Sequence, residues 1–240
     1  MSDRRKPHSR IEGYDWPAAE AALDARGWAL LPKLLTAADC KAVAALYGEE
    51  RRFRKTVVMA RHGYGRGEYR YFDHPLPEPV AGLRRALYPR LAPLANRWSE
   101  RLHLGVTYPD KHADFLARCH AAGQEKATPL ILSYGPGDYN CLHQDLYGAA
   151  VFPLQAAVLL DRPGEDFEGG EFVLTEQRPR RQSLASVVPL ARGDAVIFAV
   201  NFRPVEGTRG AYRATLRHGV SELRAGRRRT LGIIFHDAKS

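Results

Sequence analysis

The chain has 240 residues, and its 36 lysines and arginines against 27 acidic residues give a formal net charge of +9. Hydrophobic residues make up 45% and charged residues 26%, proportions that exclude global disorder. No apolar run approaches the length of a membrane span (about 18 residues), the N-terminus lacks a secretory signal, and three widely spaced cysteines predict no disulfide framework. We therefore expect a cytoplasmic protein with no membrane anchor and no disulfide partner. The chain length favours one domain over residues 13–240, preceded by a basic flexible tail over residues 1–12.

The first part of the domain, residues 13–127, is predicted to be mainly helical. The alanine- and leucine-rich run 16–26 predicts a helix that stops at Gly27. Thr36, with Asp39 three residues later, approximates a capping box for a helix over 37–50. The remaining predictions are a strand over 54–60, a long helix over 77–104 that prolines either kink or split in two, and a short helix over 114–122.

Segment 61–75, RHGYGRGEYRYFDHP, is predicted to be a loop that selects the substrate. Tyrosine and arginine side chains interleave with glycines, a composition suited to stacking on a base and to contacting a phosphate. The glycines would let the loop close as a lid. The candidate substrate-binding residues are Tyr64, Tyr69, Arg70 and Tyr71. The alternative is an ordinary β-hairpin whose aromatic rings pack on the rest of the protein.

The sequence of residues 128–240 differs from the helical pattern before it and consists of short β-rich runs separated by glycine and proline turns. This spacing is typical of a sandwich or barrel and predicts about eight strands. We expect a fold that is mainly β with flanking helices (α+β): a double-stranded β-helix, or jelly roll, buttressed by the N-terminal helices. The predicted strands lie within residues 129–137, 139–145, 151–161, 169–176, 186–190, 194–200, 212–220 and 229–237.

The segment LHQDLYG, residues 142–148, contains a candidate metal site. On a strand, residues two apart share a face, so His143 and Asp145 are expected to point the same way. With His218, on a later strand, they would form a two-histidine, one-carboxylate facial triad, which leaves three positions of an octahedral iron open. Alone, the pair also fits a surface histidine beside an acid. Cys141 would share the face of His143 as a core-facing thiol.

Ten residues after His218, a second pair lies at a spacing of two. Arg228 and Thr230 would share one face of a strand, and a guanidinium beside a hydroxyl suits one end of a dicarboxylate. This pair would bind the far carboxylate of 2-oxoglutarate if its keto acid end chelated the iron. Arg227 and Arg229 would alternate outward, toward solvent or phosphate.

In combination, HQD, HGV and GRRRT resemble the Fe(II)/2-oxoglutarate-dependent dioxygenase superfamily. Tyr134, nine residues before His143, with a PG turn between, is similar to the bacterial alkylation-repair dioxygenases. FEGGEF (167–172) and the ten-residue step to Arg228 are similar to prolyl hydroxylases. Most of residues 13–238 resembles a bacterial oxygenase group proposed to act on damaged nucleic acid. The resemblance implies Fe(II), 2-oxoglutarate and O2 as cofactors, and Tyr134 as a further 2-oxoglutarate-binding residue.

The distribution of arginines along the chain is relevant to the kind of substrate that the protein binds. Between Glu176 and Arg229 there are 12 arginines and four acidic residues, a bias that fits a polyanionic partner such as nucleic acid, or only a solvated surface. Three functions remain open: oxidative demethylation or hydroxylation of alkylated bases, hydroxylation of a protein side chain or small metabolite, and a non-catalytic jelly-roll binding module. The first is favoured, and the sequence leaves the oligomeric state open.

Overall fold

In a computed structural model, residues 7–239 are described. They contain four α-helices whose ends are set by local capping. Asp15 accepts a hydrogen bond from the N–H of Ala18 at the start of the first helix, and Gly27 ends that helix with φ of +78°. The predicted capping box at Thr36 and Asp39 forms, with both reciprocal bonds present. The helices are α1 (Trp16–Arg26), α2 (Ala37–Ala45), α3 (Glu78–Arg101) and α4 (His112–Ala121).

Two helix predictions change in detail. The helix expected over 37–50 ends at Ala45 and continues only as short 3-10 turns. The helix expected over 77–104 is a single one, which runs on through Pro89 and Pro93. Its buried face packs along the sheet, and this packing maintains the helix where two backbone N–H groups are missing.

The N-terminal segment differs from the flexible tail that we expected. Residues 1–6 lie outside the described part of the chain, whereas Pro7–Gly13 form a 3-10 helix that contacts α3. Ile11 is completely buried, and its carbonyl accepts a hydrogen bond from the indole N–H of Trp16. Arg10 also donates to the carbonyl of Leu34 and to Asp39, so one apolar and one charged side chain attach this turn to the rest of the protein.

Fifteen strands follow one another along residues 7–239. In chain order they are β1 (Trp28–Leu31), β2 (Phe53–Val58), β3 (Gly65–Arg66), β4 (Glu68–Phe72), β5 (Leu130–Tyr134), β6 (Tyr139–His143), β7 (Leu154–Leu159), β8 (Phe167–Gly169), β9 (Phe172–Gln177), β10 (Leu184–Val188), β11 (Ala195–Ala199), β12 (Phe202–Gly207), β13 (Gly210–Val220), β14 (Leu223–Gly226) and β15 (Arg228–Ile234).

The strands form two main antiparallel sheets. The larger has the order β1-β11-β7-β15-β5-β4-β2, and the smaller has the order β10-β9-β13-β6-β3 with β12 added beside β13. From β5 to β15 the chain crosses repeatedly between the two sheets, with the pairs β9-β10 and β12-β13 both in the smaller one, which is the winding of a double-stranded β-helix. The jelly-roll prediction is confirmed, and β8 pairs with β14 in a separate ribbon.

The largest cluster of buried hydrophobic residues joins the sheets and the helices. Between the sheets, Phe172 and Phe198 have ring centroids 5.1 Å apart. On the other side of the larger sheet, α1 contacts β11 and α3 contacts β15, so the helices cover its outer face. Within residues 7–239, no helix is both long and apolar enough to cross a membrane. The thiols of Cys40, Cys119 and Cys141 are free.

Segment 61–75 is largely not a loop. Glu68–Phe72 is strand β4, which pairs with β2 on one side and with β5 on the other. The alternation of inward Tyr69 and Tyr71 with Glu68 and Arg70 is the pattern of a strand, and it outweighs the three preceding glycines. The hairpin alternative therefore describes this segment better than a lid.

Candidate active site

The predicted triad comes together at the end of the smaller sheet. His143, the last residue of β6, lies directly across from His218 on β13, and their ring centroids are 4.2 Å apart. Asp145 lies beyond the end of β6, so the loop, and not the strand period, brings its carboxylate to them. One nitrogen of each histidine and one carboxylate oxygen lie within 4.8 Å of one another, which fits a single metal ion.

Two neighbours orient the carboxylate of Asp145. The hydroxyl of Tyr147 donates to Oδ1 at 2.5 Å, and the amide of Gln155 donates to Oδ2 at 2.9 Å. Burial by itself raises the pKa of Asp145, but its close neighbours His218, His143 and Tyr147 bring it well below its usual range. The carboxylate is therefore ionised and held in place, as a metal ligand requires.

The two imidazoles also suit a metal. Nδ1 of His143 donates to the carbonyl of Cys141 at 2.8 Å, which leaves the lone pair on Nε2, 3.6 Å from Asp145 Oδ1. Nε2 of His218 lies 3.4 Å from Asp145 Oδ2. Burial lowers the pKa of His218 and favours the neutral ring. The side chain of His143 is 35% exposed, so the centre is open on one side.

Arg228 and Thr230 lie inside the jelly roll on β15, as the spacing of two predicts. Both are buried, and Nη1 of Arg228 donates to the hydroxyl of Thr230 at 2.8 Å. Among residues 7–239, no carboxylate lies within 4.0 Å of this guanidinium, and its Nε has no hydrogen-bond partner. A buried cation is costly without an anion, so the pair is suited to an anionic ligand.

Tyr134 and Gly170 complete the surroundings of Arg228. Tyr134 pairs with Arg228 across β5 and β15, and its ring centroid is 5.6 Å from the guanidinium carbon. Its hydroxyl accepts a 3.4 Å hydrogen bond from Asn140. Gly170 has φ of +62°, and a Cβ there would lie 2.9 Å from Arg228 Cδ. Glycine at this position thus leaves the room that the arginine occupies.

A cavity of about 560 Å³ connects these groups, and its lining includes the triad, Arg228, Thr230 and Tyr134. Tyr69 and Tyr71, with ring centroids 5.3 Å apart in an edge-to-face arrangement, line it from β4. Tyr64 lines the mouth and is 51% exposed. Arg70 is not part of the lining. Its Nε donates to Glu68 at 3.0 Å and its Nη1 to the carbonyl of Tyr47, because the strand turns it to the opposite face.

The arginine-rich stretch between Glu176 and Arg229 does not surround the cavity as a basic patch. Of its arginines only Arg228 contributes to the lining. Arg229 makes a two-bond ion pair with Asp161, and Arg203 is buried against Glu176 at 2.7 Å. The expectation that Arg229 would meet solvent or phosphate is wrong, because a carboxylate from within the chain neutralises it.

Several residues at the site were not predicted from sequence. Gln155 is the one polar side chain of the otherwise apolar strand β7, and that isolation was a usable signal. Tyr147 repeats the spacing of two after Asp145. Cys141, expected in the core, is exposed and lines the cavity near its mouth.

Gln124 follows α4 and holds the loop after Asp145. Its amide nitrogen lies 3.0 Å from the carbonyls of both Tyr147 and Ala150 and 2.7 Å from that of Asp237. Its carbonyl accepts from the N–H of Ala150 at 2.7 Å. The position of Asp145 therefore depends on a residue from the helical part of the chain.

The fold matches solved structures of one enzyme class. A Pseudomonas putida prolyl-4-hydroxylase matches with a TM-score of 0.54 and 17% identity, over 90% of this chain and 96% of that one. A 2OG-Fe(II) oxygenase family oxidoreductase from Burkholderia pseudomallei matches with a TM-score of 0.52 and 16% identity, over 94% and 93%. At 17% and 16% identity, these matches show that the chain has the fold of these enzymes.

The sequence itself also matches known proteins and a protein family. The model of the Oxygenase-NA family, described as an oxygenase catalysing oxidative methylation of damaged DNA, matches residues 67–238. Two curated relatives from strains of Mycobacterium tuberculosis, both described as uncharacterized proteins, are 44% identical over 191 residues, which is 78% of this chain and 82% of theirs. The chain belongs to the Oxygenase-NA family.

Proposed function

We propose that this oxygenase oxidises alkyl groups on nucleic-acid bases, with His143, Asp145 and His218 as the ligands of Fe(II). The family description supports a damaged-DNA substrate. The ligand set is supported by the donor atoms within 4.8 Å and by the ionised carboxylate between two imidazoles.

Arg228, Thr230 and Tyr134 are proposed to bind 2-oxoglutarate. The guanidinium and the adjacent hydroxyl offer parallel donors to one carboxylate, and the buried position excludes competing water. The other end of the cosubstrate can reach the triad because both line one cavity. Tyr134 packs beside the guanidinium, with its hydroxyl near Asn140.

With Fe(II) bound, the site supplies O2-dependent oxidation of a C–H bond, coupled to conversion of 2-oxoglutarate to succinate and CO2. One oxygen atom enters succinate and the other enters the substrate. On an N-methyl base the product is an N-hydroxymethyl group, which breaks its C–N bond to give formaldehyde and an N–H. The protein orients both substrates and keeps bulk water from the inner end.

The observation that carries the substrate proposal is the composition of the cavity. Tyr69 and Tyr71 form an aromatic wall, Tyr64 extends it to the mouth, and Asp145 is the sole carboxylate among the described residues that line the cavity. Aromatic rings stack on a base removed from its helix, and the scarcity of carboxylates avoids repulsion of its phosphates. Arg70 has no part in this proposal, because it lies on the other face of β4.

The test is turnover of 2-oxoglutarate to succinate with Fe(II), with and without single-stranded DNA that contains 1-methyladenine. We expect the wild type to be stimulated by the modified strand and to release formaldehyde. His143→Ala and Arg228→Ala should reduce both signals to background, whereas Arg227→Ala, a control at an exposed neighbouring arginine, should retain them.

Turnover without stimulation by the modified strand would contradict the base as substrate and favour a protein side chain or metabolite. Equal turnover by wild type and His143→Ala would contradict the ligand assignment. Iron content, measured for each variant, separates loss of the metal from loss of 2-oxoglutarate binding.

A further inference from the structure

The mouth of the cavity has two chemically different walls. One wall carries Arg54 and Lys55 from β2, the edge strand of the larger sheet, and Lys239 near the C-terminus. The other carries His62, Tyr64 and Leu142, from the segment before β3 and from β6 in the smaller sheet. Both groups line the one cavity, and they come from different segments of the chain: the first from β2 and the C-terminal residues, the second from the turn before β3 and from β6.

The cations of the first wall form no ion pair within the described part of the chain. Within residues 7–239, none of Arg54, Lys55 and Lys239 lies within 4.0 Å of a carboxylate. Arg54 is fixed by a 2.8 Å bond from Nε to the carbonyl of Ala127 and lies 4.7 Å from the ring centroid of Tyr71. Lys55 and Lys239 are exposed. Three cations that form no ion pair within the described residues, all at one opening, are complementary to a polyanion.

The opposite wall offers exposed flat surfaces. The rings of His62 and Tyr64 are stacked, with centroids 5.3 Å apart and an interplanar angle of 22°. The carbonyl of Tyr64 accepts a hydrogen bond from the N–H of Cys141, which fixes this segment to β6. Next to it, the side chain of Leu142 is 46% exposed. An exposed stacked pair on a fixed backbone is a platform on which another planar ring can stack.

We propose that this mouth binds a single strand of DNA, with its phosphates along Arg54, Lys55 and Lys239 and the base next to the oxidised one stacked on Tyr64. The inference rests on the proposed function, since it assumes that the target base enters the cavity. A single strand fits because its bases can turn away from its backbone, so that the two walls contact the two parts separately. In a duplex the bases are stacked within the helix.

The experiment measures binding alone, by fluorescence anisotropy of a DNA strand of about 12 nucleotides that carries a fluorescent label and no alkylated base. This length is within the range of sites that single-strand-binding folds cover. For Lys55→Ala/Lys239→Ala we expect Kd to rise about tenfold, and the slope of log affinity against log salt to fall by about 1.4. Lys41→Ala/Arg90→Ala removes two exposed cations from α2 and α3 and should stay within about twofold of wild type.

Tyr64→Ala should raise Kd about tenfold, whereas Tyr64→Phe, which keeps the ring, should bind within about twofold of wild type. The positions mutated are exposed, and thermal melting checks that each variant is folded. Equal binding by the two double variants, or by Tyr64→Ala and wild type, would overturn the proposal. So would competition by a duplex as effective as that by the single strand.

These outcomes are independent of the catalytic proposal. If strand binding falls as expected but no formaldehyde is released from a 1-methyladenine strand, the mouth site stands and base oxidation does not. If formaldehyde is released while Lys55→Ala/Lys239→Ala binds and reacts like wild type, base oxidation is supported and the strand-binding site at the mouth is contradicted.

Discussion

The two ends of the cavity have opposite physical characters. At the inner end, Arg228 is 1% exposed, bonded to Thr230, and enclosed by Tyr134 and Gly170. At the mouth, Lys55 and Lys239 are exposed, and Tyr64 lies largely in solvent. The first is enclosed, as suits the small anion proposed for it, and the second is open, as suits the proposed long one.

This difference sets how strongly each end binds. A charge pair in a buried site is screened little by water or salt, so one arginine can contribute much of the affinity for a small ligand. Exposed cations contribute little each, and their effect comes from their number and from counterion release. We therefore expect large effects of single substitutions at the inner end and smaller ones at the mouth.

The largest effect should come from Arg228→Ala. Removing a buried cation that pairs with a carboxylate costs about 2–5 kcal/mol, so the Kd for 2-oxoglutarate should rise at least about 30-fold. Calorimetry with Mn(II) in place of Fe(II) measures this without turnover. Arg227→Ala, one residue earlier and exposed, should leave Kd unchanged. An equal loss in both variants would mean that general charge, and not the enclosed guanidinium, attracts the ligand.

Next are the residues that orient Asp145. Gln155→Leu and Tyr147→Phe each remove one hydrogen bond to the carboxylate, and such losses typically weaken metal affinity by about 10- to 100-fold. A competition titration with a chelator reports the Fe(II) affinity. Tyr71→Phe removes only the 3.1 Å hydrogen bond between the hydroxyls of Tyr71 and Tyr147, which does not touch Asp145, and should lower the Fe(II) affinity less. The opposite ranking would contradict the role given to Tyr147.

Gly170→Ala should weaken 2-oxoglutarate binding about tenfold, because its Cβ would meet Arg228. Gly164→Ala is the matched control: Gly164 also has positive φ, at +78°, but no neighbour lies within 4 Å of its Cβ position. Both variants should lose about 1–3 kcal/mol of stability from backbone strain, and only the first should lose affinity. Equal affinities would show that Arg228 shifts at no cost.

The smallest expected effect is that of salt on the binding of 2-oxoglutarate at the inner end of the cavity. Between 50 and 200 mM salt, the 2-oxoglutarate Kd should change by less than about twofold, while strand affinity at the mouth falls about tenfold. Parallel titrations of both ligands on one protein sample make the comparison. Similar salt dependence of the two ligands would remove the distinction between the ends.

Local patterns predicted the inner end well. The spacing of two puts Arg228 and Thr230 on one side of β15, and the capping box at Thr36 and the stop at Gly27 form as expected. Each of these depends on residues a few positions apart, whose relation is set by the geometry of one strand or helix.

The mouth could not be predicted in this way. Arg54 and Lys239 are far apart in sequence and line the same cavity only because the fold brings the start of β2 and the C-terminal residues to it. The arginine-rich stretch suggested a binding surface, but Asp161 and Glu176 neutralise part of it from within the chain. Charge counted along a sequence does not reveal which ion pairs the fold has already formed.

Gln124 limits how far the chain could be shortened from its N-terminal side without losing the site. The jelly-roll strands begin at β5, and a fragment starting at residue 128 would contain the triad, Arg228 and Thr230. It would lack the amide that fixes the carbonyls of Tyr147 and Ala150, so the loop carrying Asp145 would lose its attachment. The helices are therefore more than a cover for the sheet: a minimal catalytic fragment has to include the end of α4.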